Sequence, residues 1–385
     1  MYRDFPFNIR EVAGILGLNI RYDRKGSSSL DVDCPFCNKE CKMNLNTVKN
    51  VYRCNYCGEY GGMIQLFGKV HGYSNSDAYK EICDLLNREG TKPAGYGRNT
   101  FTQANAKEPC RRADANTIHQ TYSTLLTMLA LNGFHNNALL SRGLSPDAII
   151  RHRFKSTQCY GQQELCTKLL QAGCTLDGVP GFYKINDDTG TWHGKWSIRL
   201  RASGILIPVC GLNGKIAAIQ IRLDRPINKR KYIWLSSSDM DGGTSTEAPI
   251  HFVGDQRAKK VFVTEGSLKG TIAHNLSNYT FVCIPGANSI GNLDSVLQVL
   301  KANGTTEIVE ALDMDKVVVY DGTGEAKVGN VFVAEAARKL REKISAFGFR
   351  VTSAEWTASI NGIDDYLLYR KNMNHSKSIG AIPAA

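Results

Sequence analysis

Two Cys-x-x-Cys pairs, Cys34-Pro-Phe-Cys37 and Cys54-Asn-Tyr-Cys57, enclose the 16 residues 38–53, and no other feature restricts the fold so tightly. Two residues between cysteines let both thiolates of a turn face one ion. Two such turns close a tetrahedron with no open position, so the expectation is a zinc ribbon with structural Zn2+ on Cys34, Cys37, Cys54 and Cys57. Eight of the twelve cysteines lie outside the pairs. In a chain long enough to bury cores without disulfides they read as small core residues. Cys41, four residues after Cys37, breaks the paired symmetry and reads as an inert thiol. Phe36, Lys49, Tyr52, Arg53 and Tyr56 surround the knuckles. They suit stacking on unpaired bases or simple covering of the metal, and the sequence leaves both readings open.

A length of 385 residues implies two or three domains, and 42% hydrophobic against 22% charged residues excludes a disordered chain or a coiled-coil rod. Apolar runs such as 205–209 and 261–263 fall far short of the ~20 residues that cross a bilayer. The first six residues include Asp4 and no apolar stretch, so no membrane association and a reducing cytoplasmic location are expected. The formal charge of +11 is uneven: +3 over residues 1–110, +7 over 111–250 and +1 over 251–385. A basic middle favours a polyanionic partner through counterion release.

Periodicity predicts a helix from Asn8, short strands at 43–46 and 51–53, and helices at 62–71 and 76–87, with Ile82, Leu85 and Leu86 on one face. Residues 89–114 are polar, rich in Gly and Asn and aperiodic, which reads as a linker. The expected boundaries are a zinc-ribbon domain at 1–90, a linker at 91–115, a basic mixed α+β part at 116–255, a second α/β domain at 256–372 and a tail at 373–385. Within the middle, two strands flank the turn Leu212-Asn213-Gly214-Lys215. Beyond Lys260, strands and helices alternate, which indicates a parallel sheet with helices on its faces and ligands at the carboxyl ends of its strands.

Glu265 follows the strand 261–264, and Gly266 lets the chain turn sharply into a helix. Asp313-Met314-Asp315 follows the strand 308–312, where alternation would put both aspartates on one side. If the strands are neighbours, three carboxylates converge, a costly arrangement unless hard dications such as Mg2+ or Mn2+ neutralise it. Asp364 and Asp365 are further candidates, with the plainer reading that Asp364 caps a helix beginning at Asp365.

The order of these pieces resembles bacterial-type DNA primases with a zinc ribbon and a topoisomerase-primase (toprim) catalytic domain. It is carried by Cys34-Pro-Phe-Cys37, Tyr52-Arg-Cys54-Asn-Tyr-Cys57-Gly58, Gly61-Gly62, Arg142-Gly143-Leu144-Ser145, Gly214-Lys215-Ile216, Arg222, Lys231-Tyr232, Val263-Thr-Glu265-Gly266, Leu312-Asp313-Met-Asp315 and Gly362-Ile-Asp364-Asp365-Tyr-Leu. The resemblance implies divalent metal on Glu265, Asp313 and Asp315. It implies contact with template or nucleotide phosphates by Arg222 and Lys231, with Tyr232 beside them, and recognition of single-stranded DNA template by the ribbon, where Arg53 is the basic candidate. Two positions depart from the pattern: Cys37 stands where many relatives have histidine, and Lys269, where relatives often have a further acid, would contact a triphosphate, pair with an acid or stand as a solvated helix charge. The length resembles the shorter primases of phages, plasmids and other mobile elements.

The activity so implied is synthesis of short RNA primers from ribonucleoside triphosphates by metal-dependent nucleotidyl transfer. No Gly-x-x-x-x-Gly-Lys-Ser/Thr exists, since Gly211-Leu-Asn-Gly-Lys-Ile fails the pattern, so a helicase partner would be a separate protein. A toprim-type nuclease using the same carboxylates to activate water is the enzymatic alternative. A non-catalytic single-stranded-DNA-binding replication accessory is the other.

Overall fold

A computed structural model of the chain describes residues 5–23, 28–71, 73, 75–86, 111–186, 194–200, 202–227, 230–238, 240–317, 319–320, 326–327, 329–357 and 359–379. The chain divides into two compact units, Met1–Ala106 and Lys107–Ala385. Most of the linker expected at 91–115 lies outside the described residues.

The first unit opens with helix α1 (Ile9–Ile15). Its start is fixed by a reciprocal cap: the Asn8 side chain accepts from the Arg10 and Glu11 amides, and Glu11 Oε2 accepts from the Asn8 amide. Strands β1 (Ile20–Asp23), β2 (Ser29–Val32), β3 (Met43–Asn46), β4 (Val51–Cys54) and β5 (Tyr60–Gly62) form one antiparallel sheet in sequence order. Period-two alternation puts Met43, Leu45, Tyr52 and Cys54 inside. Helices α2 (Met63–His71) and α3 (Asn75–Leu85) add Leu66, Phe67 and Ile82 to the same core. Leu85, expected on the buried face of α3, is exposed, and Cys83 is buried instead. The inward stripe therefore runs through Ala78, Ile82 and Cys83, a choice that the packing partner makes.

The second unit begins with α4 (Ala115–Met128), α5 (Gly133–Ser141), α6 (Pro146–Arg151), strand β6 (Lys155–Ser156) and α7 (Gln162–Gln171). Ser145 caps α6 through its hydroxyl on the Ala148 amide, with proline in the first turn. The hairpin β7 (Phe182–Lys184) and β8 (Trp196–Ile198) precedes the expected strand pair, β9 (Gly204–Cys210) and β10 (Ile216–Ile227). With β11 (Arg230–Trp234) these make a sheet ordered β11-β10-β9-β6. Tyr122, Leu125, Leu206, Ile219 and Ile221 form its core against α4.

Then come β12 (His251–Val253), β13 (Lys260–Glu265), α8 (Ser267–Ser277), β14 (Thr280–Ile284), α9 (Leu293–Ala302) and β15 (Glu307–Glu310). The minor strands β16 (Val319–Tyr320) and β17 (Ala326–Lys327), helix α10 (Val331–Ala346), strand β18 (Arg350–Ser353) and helix α11 (Ile363–Ile379) follow. The sheet order is β12-β14-β13-β15-β18, parallel throughout except for the antiparallel edge strand β12. Alternate residues of β13 face opposite layers. Val261 and Val263 pack with α9 and α10 through Leu297 and Leu340, and Phe262 packs on the side of Ala273 and Ile363. Leu139, Leu144, Ile149 and Phe154 pack with Ile205, Ile207, Leu268 and Ile272, so the helices before β6 rest on α8 as well as on strand β9.

Candidate functional site

In the first unit the Sγ atoms of Cys34, Cys37, Cys54 and Cys57 all lie within 4.8 Å of one another. Cys34 to Cys57 and Cys37 to Cys54 are each 3.8 Å apart. Sulfurs about 2.3 Å from a tetrahedral zinc are separated by about 3.8 Å, so this cage fits zinc without adjustment. Local backbone builds it. The Cys34 carbonyl accepts from the Asn38 amide at 2.9 Å, and the Tyr56 and Cys57 amides point at Cys54 Sγ at 3.4 and 3.5 Å. The hydrogen bond from Cys34 holds the Cys54 thiol down at about 5, and ligation of a dication deprotonates its cysteine ligands. Cys41 stands outside the cage, its amide bonded to Asp33 at 3.0 Å.

The aromatic residues near the knuckles divide. Tyr52 is in the core, with Phe36 packed on it at 6.0 Å between ring centroids, so this pair covers the ribbon interior. Arg53 points to the opposite, exposed face, directly across from Tyr60 in β5, and Lys49 is also exposed.

In the second unit Glu265 ends β13, and Gly266 at φ 84° turns the chain into α8. Strands β13 and β15 are neighbours, so the loop after β15 brings Asp313 and Asp315 to the same sheet edge as Glu265. Strand alternation is not what orients the two aspartates. The strand ends at Glu310, and Met314–Lys316 form a short 3-10 turn that buries Met314 and exposes Asp315. Asn361 holds this loop: its side chain donates to Asp313 Oδ2 at 3.0 Å and accepts from the Asp315 amide at 3.1 Å. Asn330 Nδ2 lies 3.3 Å from Asp315 Oδ2. Behind the loop, the fully buried Glu310 accepts from Lys316 at 2.7 Å, Arg341 at 2.9 Å, Ser353 at 2.9 Å and the Leu312 amide at 2.8 Å. That network anchors the residue next to Asp315.

The expected capping role of Asp364 is corrected. Helix α11 starts at Ile363, so Asp364 lies within its first turn, 1% exposed and ion-paired with Arg142 at 2.5 Å. Its Oδ1 is buried with no hydrogen-bond partner. Asp365 is exposed beside it.

Lys269, one turn into α8, is ion-paired with Asp313. Burial alone would lower its pKa, but Asp313, Glu265 and Asp364 raise it above the ordinary value. Burial raises Glu265, and Asp313 and Asp315 add to that against Lys269. Burial also raises Asp315, with Asp313 adding to it, while burial and then Asp364 raise Asp365. These acids thus sense one another. Among the described residues only the cysteines bring three or more ligand atoms within 4.8 Å, and the carboxylates are gathered more loosely, about the Lys269 ammonium. Hard oxygen donors with raised pKa values, next to the orphaned Asp364 oxygen, fit a hard dication such as Mg2+ or Mn2+.

The basic residues of the hairpin are split. Arg222 and Tyr232 are directly opposite across β10 and β11 and share a face, whereas Lys231 alternates to the other. Tyr232 interacts with Arg142, which joins this hairpin to Asp364. Arg142, Asn330 and Asn361 were not singled out as site residues from the sequence. The Arg142-Gly143 pair was the available signal, because Gly143 at φ 91° packs where a Cβ would lie 2.9 Å from Leu368 in α11.

Comparison with known proteins gives three findings. Residues 7–94 match the CHC2 zinc finger family of DnaG-type zinc ribbons. A search of curated proteins finds no match. Among solved structures, the zinc-binding and RNA polymerase domains of the Aquifex aeolicus primase are similar at 13% identity, with 95% of this chain and 82% of that one covered and a TM-score of 0.47. The RNA polymerase domain of Mycobacterium tuberculosis primase DnaG is similar at 14% identity, with 69% and 82% covered and a TM-score of 0.47. The primase fragment of the bacteriophage T7 primase-helicase protein is similar at 14% identity, with 90% and 97% covered and a TM-score of 0.34. The four-sulfur cage supplies the metal site that this match calls for, and residues 7–94 of the chain are a CHC2-type zinc finger.

Proposed function

We propose that this protein is a DNA primase that makes short RNA primers on single-stranded DNA from ribonucleoside triphosphates. The observation that carries the reading is one chain joining a DnaG-type zinc ribbon to Glu265, Asp313 and Asp315 at the carboxyl edge of adjacent parallel strands. In this reading 116–255 is the basic N-terminal part of the polymerising core, 256–372 the toprim catalytic domain and 373–385 a tail.

Glu265, Asp313 and Asp315 would hold Mg2+ or Mn2+, with Asp365, whose charge interacts with Asp364 and Asp313, as a further candidate. A bound dication supplies charge stabilisation at the reacting phosphate and its leaving group. The remaining work falls to the chain. Asn361 and Asn330 hold the Asp313–Asp315 loop in place, and Glu310 fixes Lys316 behind it. Arg142, Arg222 and Tyr232 line the approach from the hairpin to Asp364 and offer donors to template or nucleotide phosphates. On the ribbon, Arg53 and exposed Tyr60 offer a cation and a stacking ring to unpaired bases.

Primer synthesis on mixed-sequence single-stranded DNA with Mg2+ and labelled ribonucleotides tests this. The wild type should extend, and Asp313→Ala should reduce extension on the order of 100-fold or more while zinc content and circular dichroism stay unchanged. Undiminished synthesis by Asp313→Ala overturns the assignment. Cleavage of labelled DNA without incorporation would instead establish the nuclease reading.

A further inference from the structure

Both carboxylate oxygens of Asp313 already have a partner within the protein. Its Oδ1 is ion-paired with Lys269 and its Oδ2 accepts from Asn361 at 3.0 Å. The Lys269 side chain is only 18% exposed. Space for its end is made by Gly362, where a Cβ would lie 3.3 Å from Lys269 Cε, 3.5 Å from Nζ and 2.6 Å from Asp364 Oδ1. The orphaned, buried Asp364 oxygen and the ammonium therefore flank the same bare Cα. Two-metal sites need carboxylates shared between ions about 3.5–4 Å apart. Here the position against Asp313 already holds a cation, and a dication brought against it would meet like charge in a partly buried setting.

We propose that the Lys269 ammonium is the resident second cation of this site, so that the protein takes one divalent metal among Glu265, Asp313 and Asp315, where two-metal enzymes take two. This rests on the metal-dependent reading above and specifies its metal count. Lys269 then serves as a positioning residue. It neutralises Asp313 permanently, independent of metal concentration, and its covalent tether to α8 fixes where that charge stands.

The test is metal stoichiometry, read without substrate. The zinc-loaded full chain is titrated with Mn2+ and free Mn2+ is followed by electron paramagnetic resonance. The wild type should bind one Mn2+, Lys269→Asp should bind two, and Lys269→Arg should stay at one. Thermal melting checks that the variants fold. Should Lys269→Asp fail to fold, Lys269→Gln, which removes the charge at nearly equal length, should show the same gain. Two Mn2+ ions on the wild type, or one on every variant, overturns the proposal and leaves the primase reading standing. No Mn2+ on the wild type overturns this proposal and the metal-dependent reading together.

Discussion

At the scale of single residues, cysteine chemistry separates ligand from bystander. Cys41 lies only four positions from Cys37, yet its amide turns toward Asp33 and its sulfur stays outside the cage. Cys57→Ser should therefore lose zinc from one ion per chain to none, because three thiolates no longer close the tetrahedron, whereas Cys41→Ser should retain one. Zinc measured by atomic absorption, with the circular dichroism of each variant, decides this; a zinc-free Cys41→Ser protein would contradict the ligand set. Lys269 carries the opposite lesson. A lysine on a helix is ordinarily a solvated charge, and only its contact with Asp313 shows that this one belongs to the acidic site.

At the scale of elements, the approach of α8 to its sheet sets where Glu265 and Lys269 stand. Gly270 lies against β14 so closely that an added Cβ would meet Cys283 Sγ at 2.0 Å. Gly270→Ala cannot be accommodated without moving the helix. It should lower stability by about 1–3 kcal/mol in urea denaturation despite the better helix propensity of alanine. The double variant Gly270→Ala with Cys283→Ala should recover part of that loss, since the clash is with the sulfur. An unchanged midpoint in the single variant would mean that the helix does not pack as described.

At the scale of the whole second unit, His251 joins three elements: its Nδ1 accepts from the Cys210 amide at 3.0 Å and its Nε2 meets Thr271 Oγ1 at 3.0 Å. Burial, with His152 and His274 nearby, holds the ring down at about 3. The folded state thus disfavours protonation relative to an unfolded histidine near 6.5, so stability is present above that pH and is lost as pH falls below it. By pH 5 the loss from His251 alone is about 2 kcal/mol, at about 1.4 kcal/mol per pH unit. Melting temperatures of the second unit should fall from pH 7 to pH 5, and His251→Asn should flatten that slope; parallel profiles would show that another group is responsible. Much of this molecule is legible in the sequence because the signals are local. The spacing of the cysteines fixes the zinc cage, Asn8 and Ser145 announce their helices, and the alternation after Lys260 gives the parallel sheet. A thiolate pair or a helix cap needs only neighbours in sequence, so its chemistry is written in a few residues. The convergence of Arg142 with Asp364, of Lys269 with Asp313 and of Asn361 with the Asp313–Asp315 loop joins residues 222, 44 and 48 positions apart. Those contacts depend on how helices settle on the sheet. The sequence left Lys269 open between a phosphate, an acid and solvent, and tertiary structure decided for Asp313, because charge pairing across such separations is fixed by packing and leaves no periodic trace in the chain.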